Sequence, residues 1–462
     1  MLWVARGVLL VTLAFANLNE IWSPDVVPNA LFSWTILREG NVDFGEFTGP
    51  PGSGLLDRET YFFRACGTPV TRSTIEVAAG AVRSIGGPPP PGPNDRVCSV
   101  FPPGIAFIAL PFFAPFVLAG ASPTDLGLLL RLGHLVAAIV EAASTLLLWS
   151  IMRRFVSAPW ALALVLLYSL GTSVRTVASQ ALWQHAGVHL GYAVALWLTL
   201  VPRRLSETRA LLAGLALGLG SVVRQTLVLA IPGFLREHPR RVVAGALLGL
   251  VPLLVYDVVA FGAPLEQGYG AKPFSFVASG LVGLLVSPSR GIFVYEPYAV
   301  AAVAALVLAW SRPGEVAMRL RWLSLSALAT LVLYASYAEW WGGRVFGPRF
   351  LDDLAPLLFA ALAWGIGQGL LASRFRRVLF AIGATWSLVL FQAAAFSYDQ
   401  RWDTSPLNVN LFSARLWDWS DPQWLAVLRD VSSGGARVAT AAALTALLVG
   451  VLARLERISS PS

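Results

Sequence analysis

Residues 17–47, NLNEIWSPDVVPNALFSWTILREGNVDFGEF, join a first apolar segment to a long polar region. The stretch places a carboxylate, Asp25, just beyond the end of the apolar segment. The amphipathic run behind it, which includes Leu31 and Trp34, is typical of a helix that lies along a membrane surface. We therefore expect Asp25 to lie at a membrane–water interface, where a chemical site could form.

The composition of the rest of the chain indicates a membrane protein. Of 462 residues, 56% are hydrophobic and only 13% are charged, and the mean hydropathy is +0.66. Apolar runs near the roughly 20 residues that span a bilayer recur along almost the whole chain. The sequence predicts an all-α polytopic protein with one transmembrane domain over residues 1–462. We expect about ten full crossings plus re-entrant and interfacial helices.

The arginines indicate the topology. The net charge is +8, and most arginines form short clusters between apolar runs, as at Arg203-Arg204, which is typical of cytoplasmic loops. No basic face is long enough to follow a nucleic-acid backbone. With these clusters inside, both termini are cytoplasmic. Residues 21–100 form the first extracytoplasmic loop, with amphipathic helices, and residues 399–434 form an extracytoplasmic flap.

Two segments depart from a simple span. Residues 101–120 carry four prolines and are interpreted as interfacial or re-entrant. Residues 209–235 contain a gap at Gly220 to Gln225, which predicts two half-length helices with Arg224 at the bend. Residues 1–18 are expected to remain as the first span, although Ala14 and Ala16 imitate a signal-peptidase site.

Both cysteines, Cys66 and Cys98, lie in the first loop. A pair confined to one loop predicts a disulfide that faces an oxidising compartment. Two free thiols are the alternative.

Short polar and aromatic motifs collect on the predicted outer side. They are SPD at 23–25, PPG at 102–104, LWQH at 182–185, FGAPLEQGY at 261–269, SPSRG at 287–291 and WWGGRVFGPRFL at 340–351. Together they resemble bacterial integral-membrane glycosyltransferases of the GT-C superfamily, relatives of the protein O-mannosyltransferases and the lipid A aminoarabinose transferases. The resemblance implies a plasma-membrane (inner-membrane) enzyme with an extracytoplasmic active site. It would transfer a sugar, with inversion, from a polyprenyl-phosphate donor to a lipid, glycan or protein acceptor.

The resemblance also implies roles for residues. Asp25 stands at the position of the general base, although the family often has two neighbouring acids there and this chain has Ser23 and Pro24. A leaving phosphate needs fixed positive charge, which arginine supplies well. Arg349 is the first candidate, followed by Arg290, Arg224, Arg344 and Arg131. The expected sugar or acceptor contacts are Trp183, Gln184, His185, Glu266, Tyr269, Trp340 and Trp341. No cofactor is expected, and a divalent metal is possible but not indicated.

Each role has an alternative. Asp25 could cap the following helix, and Arg349 could pair with Asp352 or Asp353 or reach lipid headgroups. Trp340 and Trp341 could belong to an interfacial aromatic belt. His185 and His189 share a helix face and could mimic a metal pair.

The chain as a whole also has alternative functions. It could be a transporter or flippase of a lipid-linked or anionic substrate. It could also be a non-enzymatic assembly subunit.

Overall fold

The computed structural model of this chain describes residues 2–49, 53, 56–58, 60–67, 74–78, 81–85, 91–266, 268 and 278–459. The α-helices in the first half are α1 (Leu2–Phe15), α2 (Val26–Trp34), α3 (Gly104–Leu118), α4 (Leu126–Arg153), α5 (Ala158–Leu170), α6 (Gln184–Leu200), α7 (Glu207–Val223) and α8 (Pro239–Phe261). Those in the second half are α9 (Ala278–Val286), α10 (Ile292–Tyr295), α11 (Ala299–Ser311), α12 (Glu315–Ala335), α13 (Arg349–Asp352), α14 (Ala355–Gly367), α15 (Arg374–Ser397), α16 (Arg401–Thr404), α17 (Gln423–Ser433) and α18 (Gly435–Ser459). The strands are β1 (Thr48–Gly49), β2 (Leu56–Asp57), β3 (Phe63–Ala65), β4 (Thr74–Ala78), β5 (Ala81–Ile85) and β6 (Val97–Ser99).

The long helices confirm a helical membrane protein. Among the described residues, five helices, α4, α8, α12, α15 and α18, are long and apolar enough to cross a membrane. Two of them begin at side-chain caps, since Asp125 accepts from the amide of Leu128 before α4 and Ser373 accepts from that of Arg376 before α15. Such caps satisfy amides that a helix leaves unpaired at its start. The figure of about ten crossings stays a prediction.

The interruption expected at Arg224 is present. α7 ends at Val223, and Arg224 has an extended backbone with φ −149° and ψ 116°. A 3-10 helix, Gln225–Phe234, follows instead of the second half-length α-helix that the sequence predicted. The break turns the side chain of Arg224 out of the α7 repeat and towards α6.

α7 is held against α8 by small residues at four-residue spacing. A Cβ built on Gly214 would lie 2.0 Å from the carbonyl oxygen of Val242, and one on Gly245 would lie 2.0 Å from that of Leu211. The two backbones are therefore in direct contact, as in the small-residue packing of membrane helices. This contact fixes the end of α7 from which Arg224 projects.

The helix predicted to lie along the membrane surface, α2, is instead enclosed by protein. All nine of its residues are buried. α3 and α4 pack against it, and the ring of Trp34 meets that of Phe113 edge to face at 5.9 Å. The amphipathic pattern alone could not distinguish a lipid-facing helix from one covered by neighbouring helices.

The first loop contains short strands as well as α2. β3 and β6 pair antiparallel, with Arg64 opposite Cys98. Cys66 is bonded to Cys98, with their Cα atoms 5.2 Å apart. The amide of Gly67 donates to the carbonyl of Ala260 at 2.9 Å, which ties the loop to the end of α8. Strands of two to five residues are too short to show a clear alternating pattern, so the sequence did not reveal them.

Removing this disulfide should loosen the loop. We expect the double variant Cys66→Ala, Cys98→Ala to lose about 3 kcal/mol of unfolding free energy, because the bond closes a segment with a sequence separation of 32. Thermal unfolding with and without reductant measures the effect, and the variant, which should not respond to reductant, is the control. Ready labelling of both thiols in untreated wild-type protein contradicts the bond.

Candidate functional site

Asp25 lies beside an arginine, at the start of α2. Its side chain makes no capping hydrogen bond to that helix, so the capping alternative is not what the structure shows. Oδ2 of Asp25 is 3.4 Å from Nη2 of Arg349. Oδ1 accepts a short hydrogen bond from the hydroxyl of Tyr61. Tyr61 is 56% exposed as a residue, and partial desolvation together with the negative charge of Asp25 raises the pKa of its hydroxyl above the usual value. The phenol therefore stays protonated and donates.

A glycine-rich turn positions Arg349. Gly342, Gly343 and Gly347 have φ of 76°, 77° and 76°, a region that residues with a Cβ rarely adopt. The turn brings the carbonyl of Gly342 within 3.2 Å of Nη1 of Arg349. With Nε bonded to His185 and Nη2 to Asp25, two of the five N–H groups of Arg349 have no partner among the described residues.

His185, fully buried on α6, connects two arginines. Nε of Arg349 and Nη1 of Arg224 are each 3.0 Å from Nε2 of His185. The other ring nitrogen, Nδ1, is 2.7 Å from Oδ1 of Asp353. A residue predicted to line a sugar site therefore lies at the centre of an arginine pair.

Asp353 anchors this arrangement. Its Oδ2 accepts from the hydroxyl of Tyr334 at 2.6 Å and lies 3.4 Å from Nε of Arg224. Burial alone would raise the pKa of Asp353, but Arg224 and His185 hold it well below its usual value. Asp353 is thus an anion that accepts hydrogen bonds, and it pairs with Arg224 rather than with Arg349.

Two further predicted residues lie near this group. The guanidinium of Arg349 lies over the ring of Trp183 at 6.0 Å. The positive charges of Arg349 and Arg344 both act on Tyr61, where they oppose the rise in its pKa. The structure shows no hydrogen bond or ion pair between Arg344 and any residue it describes. We call Asp25, Arg349, Arg224, Arg344 and His185 the base–arginine cluster.

A second polar group lies one turn further along α6. Nδ1 of His189 is 2.6 Å from Oε1 of Glu141, and Nε2 donates to the backbone carbonyl of Asp352 at 2.8 Å. Both nitrogens of His189 are therefore engaged, as are both nitrogens of His185. In the part of the chain that the structure describes, no three His, Cys, Asp or Glu side chains are grouped to hold a metal ion.

Arg290 lies outside the base–arginine cluster, and its predicted role in phosphate binding stays a prediction. All five of its N–H groups are used. They donate to Asp403, to Gln423 and to the carbonyls of Ser289, Trp341 and Gly343, at 2.6 to 3.2 Å. Because Asp403 and Gln423 belong to residues 399–434, Arg290 binds this flap to the rest of the protein.

Trp340 and Trp341 also pack against other parts of the protein. They are 5% and 2% exposed. A Cβ on Gly283 would lie 2.4 Å from the ring of Trp340, and the indole of Trp341 donates to Asn410 at 3.0 Å. In this structure both rings pack beside the flap, and their predicted sugar contact stays a prediction.

Four other predicted residues are not brought to the base–arginine cluster by any contact that the structure describes. Arg131 is exposed on α4. Glu266 lies 3.6 Å from Arg64 of the first loop. Gln184 is buried, and its Nε2 has no partner among the described residues. Tyr269 lies outside the described residues.

Sequence reasoning missed Tyr61 and the role of Asp353. Tyr61 lies in the polar part of the first loop, and no motif marks it. Asp353 was noted only as a partner for Arg349. The spacing of His185 and His189 could have indicated that Asp353 contacts His185. Residues at i and i+4 lie on the same face of a helix, so both histidines of α6 would face the same neighbouring segment.

The fold and this site define an integral membrane protein that buries an arginine-rich polar cluster next to a carboxylate. Comparison of the chain with family models, with curated proteins and with solved structures gave no match.

Proposed function

We propose that this protein is a glycosyltransferase of the GT-C type, a polyprenyl-phosphate-sugar-dependent enzyme. It takes a sugar from a polyprenyl-phosphate donor and transfers it, with inversion, to a lipid, glycan or protein acceptor. The active site faces the extracytoplasmic side of the inner (plasma) membrane. The observation that carries the proposal is the contact between Asp25 and Arg349, because it joins a base to a phosphate-binding group.

In an inverting transfer, the base acts on one side of the anomeric carbon and the phosphate-binding group acts on the other. Asp25 takes the proton of the acceptor hydroxyl as the acceptor oxygen bonds to the anomeric carbon. The bond from that carbon to the phosphate oxygen breaks, and its electron pair stays on the phosphate. Arg349, Arg224 and Arg344 bind the negative charge that develops there.

The ion pair between Asp25 and Arg349 gives a reason why the sugar donor binds before Asp25 accepts a proton. A phosphate competes with Asp25 for the N–H groups of Arg349, since both are anionic acceptors. Donor binding therefore draws Arg349 away and leaves Asp25 free to accept a proton. Tyr61 keeps the carboxylate in place meanwhile.

A transporter or flippase is the second candidate, favoured by the buried group of His189, Glu141 and Asp352. Ionisable side chains enclosed within helices are typical of substrate or proton pathways. Incubation of vesicles that hold the protein with a prenyl-phosphate sugar separates the two. A transferase cleaves the sugar–phosphate bond when acceptor is present, whereas a flippase leaves it intact.

Arg349→Gln should weaken use of the sugar donor by about 10²-fold, because it removes a positively charged hydrogen-bonding group beside the leaving phosphate. Mass spectrometry of co-purifying lipids should find a prenyl-phosphate sugar with wild-type protein and much less with the variant. Arg131→Gln is the matched control, since Arg131 is exposed on α4 and should leave the lipid unchanged. Equal amounts of this lipid in Arg349→Gln and wild type reject the phosphate role.

A further inference from the structure

We propose that His185 is a positioning residue that stays neutral and gathers Arg224 and Arg349 into one phosphate-binding pocket. The inference rests on the proposed function, because it concerns how the same site receives a phosphate. It gives His185 a role other than the sugar contact expected from the sequence. The argument starts from the proton on the imidazole ring.

The partner of Nδ1 decides where this proton lies. Oδ1 of Asp353 is 2.7 Å away, and Asp353 is ionised, so this oxygen can only accept. Nδ1 of His185 therefore carries the hydrogen. In a neutral imidazole the other nitrogen, Nε2, then has a lone pair and no hydrogen.

Two arginines use that lone pair. Guanidinium groups can only donate, and those of Arg224 and Arg349 each place one N–H at 3.0 Å from Nε2. The two donor nitrogens are thus no more than about twice that distance apart. Like charges this close repel one another, and the shared acceptor offsets part of the repulsion.

This arrangement prepares the pocket for a phosphate. Arg349 keeps N–H groups without a partner among the described residues, and the oxygens of one phosphate could bond both guanidiniums. His185 is fully buried, so water does not compete for Nε2. Because Nε2 already accepts from two cations, it cannot carry a proton as well. His185 therefore does not act as the acid for the leaving phosphate.

Two substitutions distinguish the roles of the two ring nitrogens of His185. In His185→Asn the side-chain amide can still donate to Asp353 in place of Nδ1, but nothing accepts from the arginines. In His185→Gln the amide oxygen can reach the position of Nε2 and accept from them, while the bond to Asp353 is lost. A positioning role predicts that Gln preserves phosphate affinity and Asn does not.

The experiment measures affinity for undecaprenyl phosphate, added to delipidated full-length protein in detergent and followed by tryptophan fluorescence. We expect His185→Asn to weaken binding by about ten- to hundredfold and His185→Gln by no more than about threefold. Melting temperatures are recorded for both variants. A purely structural role would lower the melting temperature and the affinity together in both.

The outcomes are distinct. No binding by wild-type protein removes the proposed donor and this inference with it. Binding by wild type that is equally strong in His185→Asn overturns the positioning role alone. Loss of affinity in a folded His185→Gln overturns it as well, so the inference stays testable if the asparagine variant does not fold.

Discussion

Asp25→Asn is expected to lower sugar transfer by about 10²- to 10⁴-fold while donor binding survives. Asparagine has nearly the shape of aspartate but cannot take a proton from the acceptor hydroxyl. The side chain of Asp25 does not cap α2, so its replacement leaves the helix intact. The loss should therefore fall on turnover rather than on folding.

Donor binding should even improve slightly in Asp25→Asn. In the wild type, Asp25 lies 3.4 Å from Arg349, where it would compete with the phosphate of the proposed donor. A neutral amide competes less well with an anionic phosphate for a guanidinium. Turnover and donor affinity are measured separately, by single-turnover transfer and by lipid titration. Lower turnover with higher donor affinity would indicate that only the base is lost. A decrease in both would indicate a damaged site.

Asp43→Asn is the matched control for this experiment. Asp43 lies in the same loop and pairs with Arg96 at 2.9 Å, away from the base–arginine cluster. Its substitution should leave transfer close to the wild-type rate. If Asp25→Asn retains wild-type turnover, Asp25 is not the base, and the proposed mechanism loses its central residue.

Local signals in the sequence anticipated part of this architecture. The gap at Gly220 to Gln225 predicted the interruption at Arg224 because glycine and serine weaken a helix that lacks a continuous apolar face. The motif WWGGRVFGPRFL was singled out, and its glycines do build the turn that delivers Arg349. These features depend on residues that are close together in the chain, so a single sequence is enough to reveal them.

Contacts between distant segments could not be anticipated in the same way. His185 and Asp353 are separated by 168 residues, and Asp25 and Arg349 by 324. Spacing along the chain does not specify such pairs. Arg290 and Arg349 each lie in a short turn motif, so the sequence treated them alike. Only the packing shows that every N–H group of Arg290 is bonded within the protein, two of them to the flap, whereas Arg349 retains N–H groups for a ligand.

Arg290→Met is expected to cost about 3–5 kcal/mol of unfolding free energy, because it leaves a buried carboxylate without its cation. Arg290 is 1% exposed and Asp403 is fully buried, and they lie 2.6 Å apart. Among the residues that the structure describes, only Tyr398, at 2.5 Å, and Gln423, at 3.0 Å, would still donate to Asp403. Two neutral donors offset the burial of a charge less well than a guanidinium does.

The double variant Arg290→Met, Asp403→Asn tests that explanation. It should be more stable than Arg290→Met alone, because the uncompensated charge has been removed. Arg401→Met is the control within the flap, since Arg401 is exposed and its pairs with Asp399 and Asp430 lie in water; its melting temperature should stay near that of wild type.

The same variants decide between the two roles considered for Arg290. If it holds the flap, Arg290→Met lowers the melting temperature, and the second substitution restores part of the loss in stability and in bound prenyl-phosphate lipid together. A phosphate ligand behaves differently, because Asp403→Asn cannot replace a missing cation at the donor. Normal stability with lost lipid in Arg290→Met would therefore return Arg290 to the donor site. It would also mean that the guanidinium exchanges some of its five hydrogen bonds, two of which go to the flap, for phosphate during binding.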